Sequence, residues 1–376
     1  MLKKSLFLLL LVFSLPSFSQ TPKLSENTQI SIFTCGRGEQ LYSTFGHTAL
    51  RIKDDDNRLD IVFNYGAFDF RTENFYLKFV KGDLQYFMNV TSVEDFILEY
   101  QIDEREVIEQ TINLTLAQKQ QLFDELSASL YTSERYYTYK FIDRNCTTMV
   151  NEKINGLLGQ AQIQKVDDKT ISYRTLLYPY FENYFWYKLG INIVFGAKTD
   201  AKAEKLFLPV ELMNSLDKAI VDGKPLVMNK KTLLTGSTIE SKFSFFNSIY
   251  VIIAFIVLLI VINKRWLFIS YLFVCGILGI ILCSIGLYSQ HQELLWNYNA
   301  LLFSPLFLTL PFLKELKLKR ICNLSIALLF VYSIFMVNKP HLPIMLPFIL
   351  AAFYMLLKID GRNPFKLLTS VKQNRT

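Results

Sequence analysis

Five apolar runs punctuate the last third of the chain, at about 245–262, 267–287, 299–313, 321–337 and 342–357. Runs that approach ~20 residues with few charges are the signature of helices crossing a hydrocarbon layer ~30 Å thick. Two of the five fall short of that length, so the pattern predicts an all-α bundle of about five transmembrane helices over 244–358. The charges between the runs assign a direction. Lys264 and Arg265 follow the first run, and Lys314, Lys317, Lys319 and Arg320 follow the third. Lys358, Arg362, Lys366, Lys372 and Arg375 follow the last. The intervening loops hold no Lys or Arg in 288–298 and only Lys339 in 338–341. Basic residues stay on the cytoplasmic side, so the chain before the first run belongs outside the cytoplasm.

The N-terminus gives the same answer independently. Lys3 and Lys4 precede an apolar stretch from Leu6 to Leu15 and a small-residue site at Ser17-Phe18-Ser19, the layout of a cleaved signal peptide over 1–19. The net charge of +7 then divides by region. From 244 onward 12 Lys/Arg face three acidic residues, Glu293, Glu315 and Asp360, whereas 20–243 is acidic by four charges. A nucleic-acid binder would carry its excess on a folded face; here the excess reports topology, and no nucleic acid is implied.

The exported region, 20–230, predicts a compact α+β domain. Ser31–Thr34, Ala49–Lys53 and Asp60–Tyr65 read as strands, with Asp54-Asp55-Asp56-Asn57 turning between the last two. Ser92…Asp95 and Thr115…Gln118 look like capping boxes. A further helix is expected from Cys146 to Leu158, stopped by Gly159. The polar stretch 231–243 reads as a linker, and 359–376 as a basic cytoplasmic tail. Aromatic-rich stretches at 131–141 and 173–187 could rest on lipid headgroups or fill an aromatic core.

Three histidines, His47, His291 and His341, all fall on the exported side of this topology. His47 stands at the start of a predicted strand, after Gly46. Cys146, in Asp143-Arg144-Asn145-Cys146-Thr147-Thr148, opens a helix, where the positive end of the dipole lowers a thiol pKa. A cysteine so placed with an imidazole nearby is the minimum for an activated sulfur nucleophile. Asn64, on the following strand, is a candidate to orient the ring. Other readings remain open. Cys35 and Cys146 could form a structural disulfide in this compartment, and His47 could be a satisfied core histidine. Asn64 could be a turn residue and His291 an interfacial one. No Cys/His spacing suggests a metal.

Several blocks together resemble the Lnb-type lipoprotein N-acyltransferases of Bacteroidetes. They are Thr34-Cys35-Gly36-x-Gly38…Tyr42-Ser43-x-Phe45-Gly46-His47-Thr48-Ala49-Leu50-Arg51, Asn64-Tyr65-Gly66-Ala67-Phe68-Asp69-Phe70, Phe75–Gly82 and Asn145-Cys146-Thr147-Thr148. Weaker matches are Ser172-Tyr173-Arg174, Phe207-Leu208-Pro209 and His291 with Asn297-Tyr298-Asn299. Arg37 departs from the family's preference for Pro. More distantly, the order His, polar residue, Asn-Cys is similar to permuted papain-like enzymes. The resemblance implies a permuted papain-like domain with Cys146 as nucleophile, His47 as base and Asn64 third. It further implies substrate or lipid contacts at Tyr42, Arg51, Tyr65, His291, Asn297 and Asn299, and no cofactor. The implied partners are a phospholipid acyl donor, a diacylglyceryl lipoprotein acceptor and the inner membrane. Two competing functions stay in view: a membrane-tethered cysteine peptidase or amidase, and a non-enzymatic envelope scaffold braced by a Cys35–Cys146 disulfide.

Overall fold

The computed structural model describes residues 21–159, 162–237 and 243–362. The predicted signal peptide and all of the basic tail beyond 362 lie outside them. Residues 21–237 build one seven-stranded antiparallel sheet with helices on both faces. The strands are β1 (Gln29–Cys35), β2 (His47–Asp54), β3 (Leu59–Ala67), β4 (Gln85–Ser92), β5 (Val107–Ile112), β6 (Tyr136–Thr138) and β9 (Val227–Leu234), in the order β6-β4-β3-β2-β1-β5-β9. A two-residue pair, β7 (Ile220–Val221) with β8 (Lys224–Pro225), sits outside it. The first three predicted strands are present, each longer by a few residues.

Alternation along β1 and β2 shows why both sheet faces are covered. Ile30, Ile32, Leu50 and Ile52 point to the main core, and Phe33, Cys35 and Ala49 point to a smaller one. Helices α1 (Phe75–Lys81) and α2 (Val93–Ile102) follow β3 and β4, and Phe96 and Tyr100 of α2 close the smaller core. Helices α3 (Leu116–Leu130) and α4 (Cys146–Leu157) cover the main core with Leu122, Leu126, Val150 and Ile154. Both predicted caps are found: Ser92 accepts the Asp95 N–H, and Thr115 and Gln118 form a full capping box. Helices α5 (Tyr173–Leu177), α6 (Phe185–Val194) and α7 (Pro209–Lys218) complete the domain. Tyr173, Phe181 and Phe207 form an aromatic cluster against which Tyr180, Tyr184 and Tyr187 pack half-buried, while Trp186 stays exposed.

The expected linker at 231–243 begins inside the sheet. Strand β9 runs to Leu234 and pairs with β5, because its Lys-rich side chains face solvent at a sheet edge while its backbone completes the ladder.

Among the described residues three helices are long and apolar enough to cross a membrane: α9 (Arg265–Tyr288), α10 (Glu315–Met336) and α11 (Leu342–Ile359). The first run gives only the 14-residue helix α8 (Ile249–Ile262). The third run, 299–313, is no α-helix at all, which corrects the expected count of five. It forms 3₁₀ turns at Tyr298–Leu301 and Pro305–Phe312. Pro305 and Pro311 remove backbone donors, and the Ser304 hydroxyl caps the second turn. The segment packs closely along α9. Its polar backbone is shielded by protein. A Cβ at Gly279 of α9 would lie 1.7 Å from the Phe303 carbonyl oxygen, so only glycine admits this segment so close.

Candidate active site

His47 opens β2, and Cys146 opens α4, which packs across that strand with the Thr48 hydroxyl 3.1 Å from the Thr147 hydroxyl. The helix start is over-determined. The side-chain Oδ1 of Asn145 accepts the Thr148 N–H at 3.0 Å, and the Thr148 hydroxyl accepts the Asn145 N–H at 2.8 Å. The Asn145 amide also donates to the Phe141 and Phe207 carbonyls at 2.8 and 3.0 Å. A cap that would be ordinary in a surface helix is here tied to two other segments, so the sulfur's position is fixed from both sides.

On the sheet side, Nε2 of His47 hydrogen-bonds Oδ1 of Asn64. A carbonyl oxygen can only accept, so Nε2 carries the proton and Nδ1 is the nitrogen left for the thiol. A bulge between Tyr65 and Ala67 places Gly66 at φ +110°, with its Cα face 3.6 Å from Cε1 of the ring once a Cβ is imagined there. Glycine is therefore what allows β3 to bend around the imidazole.

Electrostatics follow from the pairing. Burial alone would raise the Cys146 thiol, but the His47 charge and hydrogen bond, the Thr48 backbone N–H and the Thr147 hydroxyl outweigh it and bring it below the usual thiol range. For His47, burial disfavours the charged ring, while Cys146 and the Asn64 bond favour it and prevail, so its pKa is raised. The two groups stabilise one another as thiolate and imidazolium. That is an activated nucleophile with a proton donor attached.

Cys35 behaves otherwise. Its thiol is pushed up to about 12 by burial, it hydrogen-bonds Tyr100, and it packs in the smaller core with Phe33 and Phe96. Both Cys35 and Cys146 are free thiols, so the disulfide on which the scaffold reading depended is not formed. Among the described residues no cluster suits a metal ion.

The predicted binding residues do not all gather at this pair. Arg51 is committed to Asp60 at 2.6 Å and Glu109 at 3.0 Å, an ion-pair cluster on the sheet. Tyr42 is exposed and packs edge-on to Phe68, whereas Tyr65 is buried with its ring 6.1 Å from that of Tyr137. His291, Asn297 and Asn299 dock the apolar half onto the sheet domain instead. His291 Nε2 meets the Phe79 carbonyl at 2.9 Å, and burial lowers its pKa. Asn297 donates to the Ile193 and Val194 carbonyls, and Asn299 to those of Asn192 and Ile193, all at 2.8–2.9 Å.

Three groups escaped sequence reasoning. Glu293 accepts the Ile142 N–H at 3.1 Å, four residues before Cys146, although its being one of three acids after 244 set it apart. Arg174, fully buried, bonds Asp200 at 2.8 Å, together with the Thr199 hydroxyl and the Phe195 carbonyl. Asp200 in turn accepts from Tyr298 at 2.6 Å and pairs with Lys339 at 3.2 Å. Tyr137 is the third: its hydroxyl is buried without a hydrogen-bond partner among the described residues, and both burial and the Cys146 charge hold its pKa above the usual range. Only tertiary structure brings β6 to the sulfur, so no local pattern marked it.

Residues 19–178 match the family model of the Lnb N-terminal periplasmic domain. No curated protein and no solved structure matches the chain.

Proposed function

Because the chain belongs to the Lnb-type family through this N-terminal periplasmic domain, we propose that it is a membrane-bound acyltransferase that loads a fatty acyl chain on Cys146 and passes it to an amine. The observation that carries the reading is the Cys146–His47–Asn64 array on a domain fused to apolar helices. The acyl donor is a phospholipid and the acceptor the N-terminal amine of a diacylglyceryl lipoprotein, both confined to the same membrane. The chain sits in the inner membrane by several passes, with the sheet domain in the periplasm. Confinement replaces a three-dimensional search with one in the plane, which raises the effective concentration of both substrates.

In the first half-reaction the Cys146 thiolate attacks the ester carbonyl. A carbon–sulfur bond forms, the ester carbon–oxygen bond breaks, and the imidazolium of His47 gives its proton to the departing lysophospholipid alkoxide. In the second, the acceptor amine attacks the thioester carbonyl and its proton passes to the neutral His47. The carbon–sulfur bond breaks, restoring thiolate and imidazolium. Asn64 holds the ring in one tautomer throughout. Charge on the tetrahedral oxygen is met by the Cys146 backbone N–H at the helix start and by the unpartnered Tyr137 hydroxyl.

Mass spectrometry of the purified full-length protein tests this. Wild type should carry a hydroxylamine-sensitive fatty acyl adduct on Cys146, and Cys146→Ser should lack that thioester. Tyr137→Phe should slow adduct formation by on the order of 10²-fold, the usual loss for one oxyanion donor. Lipoprotein N-acylation that persists in cells carrying Cys146→Ala would overturn the assignment. A peptidase or amidase would instead cleave a soluble peptide with the domain alone.

A further inference from the structure

Helix α1 has a composition and position that the sheet domain does not explain. Of its seven residues, Phe75-Tyr76-Leu77-Lys78-Phe79-Val80-Lys81, none is buried, although five are apolar. Tyr76 is 75% and Leu77 62% exposed, and Phe70, just before the helix, is 62% exposed. A seven-residue helix is too short to persist on backbone bonds alone, and in water this one would also hold a contiguous apolar face against solvent. What it does have is a fixed seat. The Ser289 hydroxyl donates to the Val80 carbonyl at 2.7 Å, the Gln290 N–H to the Lys81 carbonyl at 2.7 Å, and His291 Nε2 meets the Phe79 carbonyl. All three come from the residues immediately after α9, whose own last apolar side chain, Leu287, is 91% exposed. The exposed face of α1 is therefore continuous with the end of a helix built to lie in lipid.

A second observation leads inward from it. Ring centroids run from Phe70 to Phe75 at 4.9 Å, to Phe68 at 5.8 Å, to Tyr86 at 5.1 Å, and to Tyr139, stacked at 4.5 Å. Phe68, Phe75, Tyr139 and Cys146 all pack against the same main core. The row joins the exposed helix to the core against which Cys146 also packs.

We propose that α1 lies in the headgroup–acyl boundary of the leaflet on the domain's side, and that the aromatic row from Phe70 to Tyr139 guides the acyl chain of a phospholipid from there to Cys146. Lys78 on the same helix places a cation at the depth of lipid phosphates, as in-plane membrane helices do, while Lys81 is paired with Asp83 at 2.5 Å. The seating of α1 is independent of the reaction; the acyl route rests on the acyltransferase reading.

The test uses the full chain in phosphatidylcholine vesicles. In a Trp186→Phe, Trp266→Phe, Trp296→Phe background, Leu77→Trp supplies the only indole, and Asp56→Trp, on the exposed β2–β3 turn, is the aqueous control. Fluorescence of Leu77→Trp should fall several-fold with lipids brominated high in the acyl chain and resist iodide, whereas the control should respond only to iodide. Iodide access equal to the control would overturn the seating, as would protection from both quenchers, the sign of a protein cover. For the route, Leu77→Glu should lower Cys146 acylation from vesicle phospholipid at least tenfold while leaving its alkylation by iodoacetamide unchanged. Full acylation in Leu77→Glu would overturn the route, and an immersed helix with no acylation even in wild type would leave the seating standing and sink the acyltransferase reading instead.

Discussion

The Cys146 thiol is drawn toward its ionised form by neighbours that oppose its own burial, and the balance is measurable. The thiol's folded pKa lies below its ordinary value near 9.0, so the thiolate persists as pH falls from that value and disappears only below the lowered one. His47 works in the other direction: its raised pKa keeps the ring charged at and above 6.5, and the charge is lost as pH climbs past the raised value. Iodoacetamide alkylation of Cys146 should therefore titrate with a midpoint below 9. In His47→Ala the charge and hydrogen bond vanish while the desolvation remains, so the midpoint should rise, and an unmoved profile would refute the pairing. Cys35, pushed to about 12, does not compete in this range. Cys146, His47 and Asn64, which the structure brings together, were each legible from sequence because local rules mark them: a cysteine opening a helix, a histidine after glycine at a strand start, an asparagine on the adjoining strand. Tyr137 carried no such mark, since a three-residue edge strand becomes a neighbour of α4 only after the sheet closes.

Among the elements, the start of α4 shows how a local motif acquires a larger duty. Asn145→Ala removes the N-cap and leaves the Phe141 and Phe207 carbonyls without their donor, which should cost about 2–4 kcal/mol. Asn145→Asp keeps an acceptor for the Thr148 N–H but cannot donate to the carbonyls, so its cost should fall between wild type and Ala. Thermal unfolding midpoints in detergent would rank the three, and an Ala variant as stable as wild type would show that the cap is incidental. Strand and helix periodicity was readable for β1 to β3, α2, α3 and α4, where one face of each is buried. It failed at β9, whose Lys-rich face resembles a linker, and at 299–313. That run is apolar like its neighbours, but two prolines and side-chain caps from Asn297 and Ser304 replace the α-helical ladder.

For the molecule as a whole, the interface between sheet domain and apolar half is a network of buried charge. Arg174 meets Asp200, which Tyr298 and Lys339 also contact, and the Tyr298 hydroxyl lies 3.0 Å from His341. Burial, together with the cations nearby, holds the His341 ring neutral, at about 3. Removing one member of such a network strands the others without solvent. Arg174→Ala should destabilise the protein by about 3–5 kcal/mol, and Arg174→Lys should restore little, because a point charge cannot serve Asp200, Thr199 and the Phe195 carbonyl together. Limited proteolysis of the 235–245 stretch should accelerate in both variants; equal rates in Arg174→Ala and wild type would count against the clamp. The sequence singled out Arg174 and Tyr298 without linking them, since the two lie 124 residues apart and meet only through the folded interface.

The Glu293–Ile142 bond has one further implication. The loop that carries Cys146 hangs from the apolar half, so on the proposed reading that half lies in lipid and the sulfur's elevation is set by span length and not by a slack tether. Thinner or thicker bilayers would then move the ester past a stationary sulfur, and turnover would become a gauge of the depth at which each membrane holds its glycerol backbones.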